Sequence, residues 1–101
     1  MANNEEWGVA LFKIIYPNGN VAQVTVSGRD RWALETLIAA GEMGCTPIST
    51  PGPRWSGYVH NLRKLGVTIE TVTEAHDGPF AGTHARYVLK AFVARSEEGA
   101  A

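Results

Sequence analysis

Between Pro53 and Gly66 the chain reads Pro-Arg-Trp-Ser-Gly-Tyr-Val-His-Asn-Leu-Arg-Lys-Leu-Gly, a stretch with bases and no acid. Arg54, Arg63 and Lys64 can pair with an anion, while Ser56, His60 and Asn61 can donate hydrogen bonds to acceptor groups. The whole chain carries a formal net charge of −1, so charge location says more than the total. Six bases and three acids lie between Pro51 and Arg95, a local +3, and the first fifty residues and the tail hold the acidity. Such a stretch is suited to an anionic partner. The plainer alternative is a solvated helix face whose last bases complement the helix dipole.

Other chemistry is weakly supported. His60, His76, His84, Cys45 and Asp77 are of metal-ligating type, yet no pair has Cys-x-x-Cys or His-x3-His spacing. No metal and no cofactor are expected. Hydrolysis would need a nucleophile, a base and an oxyanion donor to converge, which nothing in the sequence requires, so no enzyme is expected. Gly78-Pro-Phe-Ala-Gly82 lacks the Lys-Ser/Thr ending of a phosphate loop and does not lead into a helix. Cys45 is the single cysteine, cannot form an intramolecular disulfide, and is expected as a small buried apolar residue. The polar start is no secretory signal and no apolar run reaches spanning length, which predicts a cytoplasmic protein without a membrane partner.

The elements that must position these groups follow from punctuation and periodicity. Pro53 suits a first helical position, Gly66 a left-handed stop, and Arg63 and Lys64 a last turn, which predicts a helix over 53–65. At 100° per residue Trp55, Tyr58, Val59, Leu62 and Leu65 fall within about 60° of Leu62, one apolar stripe of core width. That makes Trp55 and Tyr58 core residues rather than a stacking platform. Upstream, residues 1–6 are expected as a disordered leader and 7–26 as a β-hairpin, with strand runs Val9–Tyr16 and Val21–Val26 around the turn Pro17-Asn-Gly-Asn20. Ser27 is placed to cap a helix, with Asp30 in capping-box position. Leu34, Leu37 and Ile38 share its inner face, Trp32 is expected against the hairpin, and Gly41 ends it. Pro47, Pro51 and Pro53 leave Cys45–Gly52 room for one short turn capped by Thr46, with Ile48 pointing inward. Val67–Glu74 and Arg86–Val93 read as strands around a loop over 75–85, with Phe80 at its tip, and the chain is expected to fray from Arg95.

The order of elements from Ser27 to Val93 resembles a winged helix-turn-helix domain of the small bacterial and phage type. The resemblance rests on Tyr58-Val-His-Asn-Leu-Arg-Lys-Leu-Gly-Val-Thr-Ile-Glu-Thr71 followed by Ala85-Arg-Tyr-Val-Leu89, a recognition helix running into a wing. It implies an α+β winged helix over 27–95, with two main helices, a short helical turn, a C-terminal β-hairpin wing and an extra N-terminal β-hairpin. Residues 96–101 would be a disordered tail. The implied partner is double-stranded DNA, with helix 53–65 in the major groove and wing 75–85 on the backbone. Carried over residue by residue, Arg54, Ser56, Gly57, His60, Asn61 and Lys64 would lie in or beside the groove. Arg63, Lys64 and Arg86 would contact phosphates, with His84 on the wing. The implied role is a small transcriptional regulator or a phage-derived accessory factor. The alternative is a non-catalytic protein–protein interaction module on the same fold, with a homodimer or protein partner engaged through the N-terminal hairpin.

Overall fold

A computed structural model describes residues 7–50, 54–79 and 81–96. In chain order the elements are β1 (Ala10–Ile15), β2 (Val21–Val26), α1 (Gly28–Ala40), a 3-10 turn (Gly41–Met43), α2 (Trp55–Lys64), β3 (Ile69–His76), β4 (Gly82–Leu89) and β5 (Phe92–Arg95). The expected N-terminal hairpin is present, with Ala10 opposite Val26 and Ile15 opposite Val21. Its turn closes as the Asn-Gly chemistry requires. Tyr16 donates its N–H to Asn20 O at 2.9 Å, Gly19 N–H donates to Tyr16 O at 2.8 Å, and Asn18 Oδ1 accepts from Asn20 N–H at 2.9 Å.

The C-terminal strands differ from expectation. Arg86–Val93 is not one strand: β4 ends at Leu89, Lys90 donates its N–H to Thr68 O at 2.9 Å, Ala91 is buried, and β5 then pairs antiparallel with β1. The hairpin therefore becomes a three-stranded sheet in the order β2-β1-β5, separate from the β3-β4 ribbon. Arg95 and Ser96, expected to fray, are held there. Arg95 pairs with Phe12, and Ser96 is buried and donates its N–H to Leu11 O at 2.9 Å. An alternating apolar run is equally compatible with one strand or with two in different sheets, so periodicity could not place the break.

The ribbon is longer than expected as well. Residues 75, 76 and 82–85 pair across it, so the strands run from Ile69 opposite Leu89 to His76 opposite Gly82, and the connection shrinks to Asp77–Ala81. Phe80, expected at the tip, lies outside the described residues. At about 3.4 Å per residue, eight-residue strands make an arm about 27 Å long.

One core joins the two sheets and two helices. Phe12 and Ile14 of β1, Leu34 and Leu37 of α1, and Val59 and Leu62 of α2 are essentially without exposure. Each such side chain contributes about 1.5–3 kcal/mol relative to remaining in water. Trp32, expected against the hairpin, turns its ring to the aromatic residues of α2. It meets Trp55 at 5.4 Å and Tyr58 at 6.1 Å between ring centroids, because the side of α1 away from Leu34 and Leu37 still faces α2. Ser27 occupies the N-cap of α1 in extended conformation but makes no side-chain cap bond, and Asp30 is engaged elsewhere.

The segment before α2 is anchored, though hardly helical. Cys45 forms an antiparallel bridge with Tyr87, donating N–H to Tyr87 O at 2.9 Å and accepting Tyr87 N–H at 2.8 Å. Gly44, at φ +68°, makes that approach feasible, since a Cβ there would sit 2.5 Å from Tyr87 O. Thr46 caps the next turn as expected: its Oγ1 accepts from Ser49 N–H at 2.8 Å and Ile48 N–H at 3.2 Å. Ile48 points outward instead of inward and is 58% exposed. One turn capped this tightly turns its second residue away from the core. Pro51, Gly52 and Pro53 lie outside the described residues, so the expected first helical position of Pro53 is not among them.

Candidate nucleic-acid interface

The recognition stretch folds into ten helical residues, about 15 Å of helix. Its buried side is the predicted stripe with one exception: Trp55, Tyr58, Val59 and Leu62 are buried, whereas Leu65 is 40% exposed. Leu65 falls at the C-cap, past the last helical residue, so the helical angle no longer places it over the core. The stop itself is a Schellman motif, with Gly66 at φ +102°. Val67 N–H donates to Leu62 O at 3.1 Å and Gly66 N–H to Arg63 O at 3.0 Å. Tyr16 Oη donates to Gly66 O at 2.7 Å, which ties the N-terminal sheet to the end of α2. At the other end Trp55 Nε1–H donates to Thr50 O at 2.6 Å, and Arg54 occupies the N-cap. The helix is therefore pinned at both ends by residues outside it.

Its outward side carries Arg54, Ser56, His60 and Lys64, all exposed, with Gly57 and Asn61 half-buried. Arg54, Gly57, His60 and Asn61 surround one open depression of about 290 Å³, together with Tyr58 and Asp30. Asp30 is a residue that sequence reasoning assigned to a cap. Its carboxylate instead accepts from Asn61 Nδ2 at 3.2 and 3.3 Å, so the acid-free helix face meets one acid from α1. Arg29, one residue earlier, lies over the Trp32 ring at 5.9 Å and adds a cation beside the aromatic cluster of Trp32, Trp55 and Tyr58. The sequence held no signal for either placement, which depends on how α1 crosses α2.

Arg63 reaches away from the depression. Its Nη2 donates to Ile69 O at 2.6 Å and Thr71 Oγ1 at 2.8 Å, and its Nε to Ile69 O at 3.2 Å. The guanidinium thus braces α2 against β3. The side chains of Arg54 and Lys64 make no hydrogen bond or ion pair among the described residues, and both are exposed to solvent.

On the ribbon, strand alternation separates two faces. Ile69, Ala85, Tyr87 and Leu89 turn toward the core cluster, with Thr71 and Thr73 on the same side. Glu70, Glu74, His84 and Arg86 share the other side. There Arg86 Nε donates to Glu74 Oε2 at 2.5 Å, Arg86 Nη1 donates to Met43 O at 2.6 Å, and His84 Nε2 meets Glu74 Oε1 at 3.2 Å. Hydrogen bonding from Arg86, reinforced by its charge and by His84, holds the Glu74 carboxyl below its ordinary range, and the same pairing raises Arg86. A weaker ion pair joins Lys90 to Glu70 at 3.7 Å. The sequence-predicted residues therefore form two groups. Arg54, Ser56, Gly57, His60, Asn61 and Lys64 gather on α2, and His84 and Arg86 sit in a charge-compensated network on the ribbon. Cys45 is buried as expected; burial pushes its thiol up, partly offset by a Thr50 hydrogen bond and the Arg86 charge.

The second helix of a two-helix core feeds a long antiparallel ribbon, and a bridge at Cys45 closes the arrangement. The family model described as "Winged helix domain" matches residues 23–99. The chain belongs to the winged helix family. No curated protein and no solved structure matches it. In winged helix terms, α2 is the second main helix, the β3-β4 ribbon is the wing, and the Thr46–Thr50 turn is the short helical turn between the two main helices. Winged helix domains are in general DNA-binding modules without catalytic activity. The winged helix match begins inside β2 and covers β5, so the strand that completes the N-terminal sheet falls within the family's own span. No helix among the described residues is long and apolar enough to cross a membrane.

Proposed function

We propose that this winged helix protein binds double-stranded DNA as a non-catalytic factor in the cytoplasm, a small transcriptional regulator or phage-derived accessory protein. The observation that carries the reading is the outward side of α2, where Arg54 and Lys64 remain exposed to solvent on a helix pinned at both ends. A helix of this diameter enters the major groove. Ser56, His60 and Asn61 offer donors and acceptors to base edges, and the half-buried Gly57 permits close approach of the backbone. Arg54 and Lys64 are the main phosphate contacts. Arg63 acts chiefly as a positioning residue through Ile69 and Thr71, because most of its donors are already engaged. His84 and Arg86 place the wing along the neighbouring backbone, with Glu74 reducing the charge that Arg86 brings.

Titration of a mixed 16-base-pair duplex into isotopically labelled protein, followed by amide and side-chain NMR, tests this interface. Shifts concentrated at Arg54–Lys64 and the wing are expected. Shifts confined to β2 or β5, or none at low salt, would sink it.

A second reading is favoured by one observation. Val21, Ile15 and Phe92 lie in register across all three strands of the N-terminal sheet and are 56%, 37% and 65% exposed. This apolar row supports a protein contact, in a homodimer or with another chain, that leaves α2 open.

A further inference from the structure

The histidines rejected as metal ligands on sequence spacing meet across the wing. Spacing rules such as His-x3-His describe ligands on one helix or loop, whereas a ribbon brings together residues at distances set by register. Glu74 is paired with His84, and His76 with Gly82, so the two histidines are diagonal neighbours on one face. Gly82 puts no side chain opposite His76; a Cβ there would lie 3.8 Å from His76 Nε2. The two rings are stacked, with centroids 5.1 Å apart and planes at 28°. Their Nδ1 atoms are 2.9 Å apart.

A carboxylate oxygen accepts, so the 3.2 Å contact between Glu74 Oε1 and His84 Nε2 is satisfied by the tautomer with its proton on Nε2. In that tautomer the lone pair of His84 sits on Nδ1, the atom 2.9 Å from Nδ1 of His76. The 2.9 Å separation leaves room for a single shared proton between the two nitrogens. A carboxylate that fixes the far nitrogen of an imidazole and leaves the near one as a lone pair is the arrangement that orients metal-ligating histidines.

We propose that His76 and His84 form a two-nitrogen chelate for a borderline divalent cation, with Glu74 as the positioning residue behind His84. The ion takes the place of the shared proton, which transfers through solvent to Nε2 of His76, and both Nδ1 lone pairs turn off the line between the nitrogens toward the ion. With metal–nitrogen bonds of about 2.05 Å, a 2.9 Å separation corresponds to a bite angle of about 90°. That angle suits the tetragonal preference of Cu2+ or Ni2+ better than tetrahedral Zn2+. Among the described residues no group of three or more His, Cys, Asp or Glu could hold a metal ion, so water completes the shell and the ion exchanges readily. A loaded wing gains positive charge. If the DNA reading above holds, the ion also strengthens contact with the phosphate backbone.

The test uses the untagged full chain and Ni2+ alone, without DNA, so it is independent of the DNA reading. Histidine-ring NMR during the titration should show paramagnetic broadening at His76 and His84 while sparing His60, which stands on α2. Calorimetry should give one ion per chain. Affinity should fall at least about tenfold in His76→Asn and in His84→Asn, and about tenfold in Glu74→Gln. Absence of saturable binding, equal broadening of His60, or affinity that survives both histidine substitutions would overturn the chelate. An unchanged affinity in Glu74→Gln would overturn the positioning role.

Discussion

Arg63 is the residue for which the structure and a simple charge count lead to different experiments. A charge count makes it a phosphate contact. The geometry spends its guanidinium on Ile69 O, at 2.6 and 3.2 Å, and on Thr71 Oγ1 at 2.8 Å. Charged hydrogen bonds contribute about 1.5–3 kcal/mol when sheltered, and exposure of Arg63 brings the whole brace down to about 1–1.5 kcal/mol. Arg63→Ala should therefore lower Tm by about 4–12 °C for a domain of this size. In a DNA titration repeated at several salt concentrations, affinity should fall because the angle between α2 and the wing loosens. The slope of log K against log salt should barely move, since a guanidinium held against β3 makes no phosphate contact to lose. Lys64→Ala makes the contrast: stability should stay within about 0.5 kcal/mol, and the slope should lose about 0.9. If Arg63→Ala leaves Tm unchanged and removes a full unit of slope, the brace is not its role.

Three further outcomes follow from particular contacts. Gly44→Ala puts a Cβ 2.5 Å from Tyr87 O at a positive φ, so it should break the Cys45 bridge and cost about 3 kcal/mol, read as a Tm loss above about 10 °C. Tyr16→Phe removes the 2.7 Å bond to Gly66 O and should cost about 1 kcal/mol in chemical denaturation with an unchanged m-value. The Glu74 carboxyl is depressed from its ordinary 4.5, so its pairing with Arg86 and His84 stabilises the fold above about that pH and is lost as pH falls through the lower folded value. Glu74→Gln should flatten the acid limb of the stability–pH curve, and an identical limb in wild type and variant would contradict the pairing.

Much of the architecture was legible because it is local. The Asn-Gly turn, the apolar stripe of α2, the Gly66 stop and the Thr46 cap are each specified within a few residues, and all four are present. What could not be read depends on which distant elements meet. The break after Leu89 is invisible in an alternating run, since β5 exists only because β1 has an open edge to receive it. Trp32 follows the crossing of α1 over α2, and Ile48 the tightness of a turn confined by prolines. The candidate site divides in the same way. The outward residues of α2 were legible from helical periodicity. Asp30 beside Asn61, Thr71 under Arg63 and His76 beside His84 were not, because each pair is set by tertiary packing or by ribbon register.

The central claim is that the exposed cations of α2 face DNA. Fluorescence anisotropy of a labelled mixed duplex, titrated with the full chain from 25 to about 200 mM salt, measures it most directly. With Arg54, Lys64 and one or two wing contacts engaged, the slope of log K against log salt should be about −2 to −4. A binding constant that does not change with salt, or no binding at the lowest salt, would contradict the account.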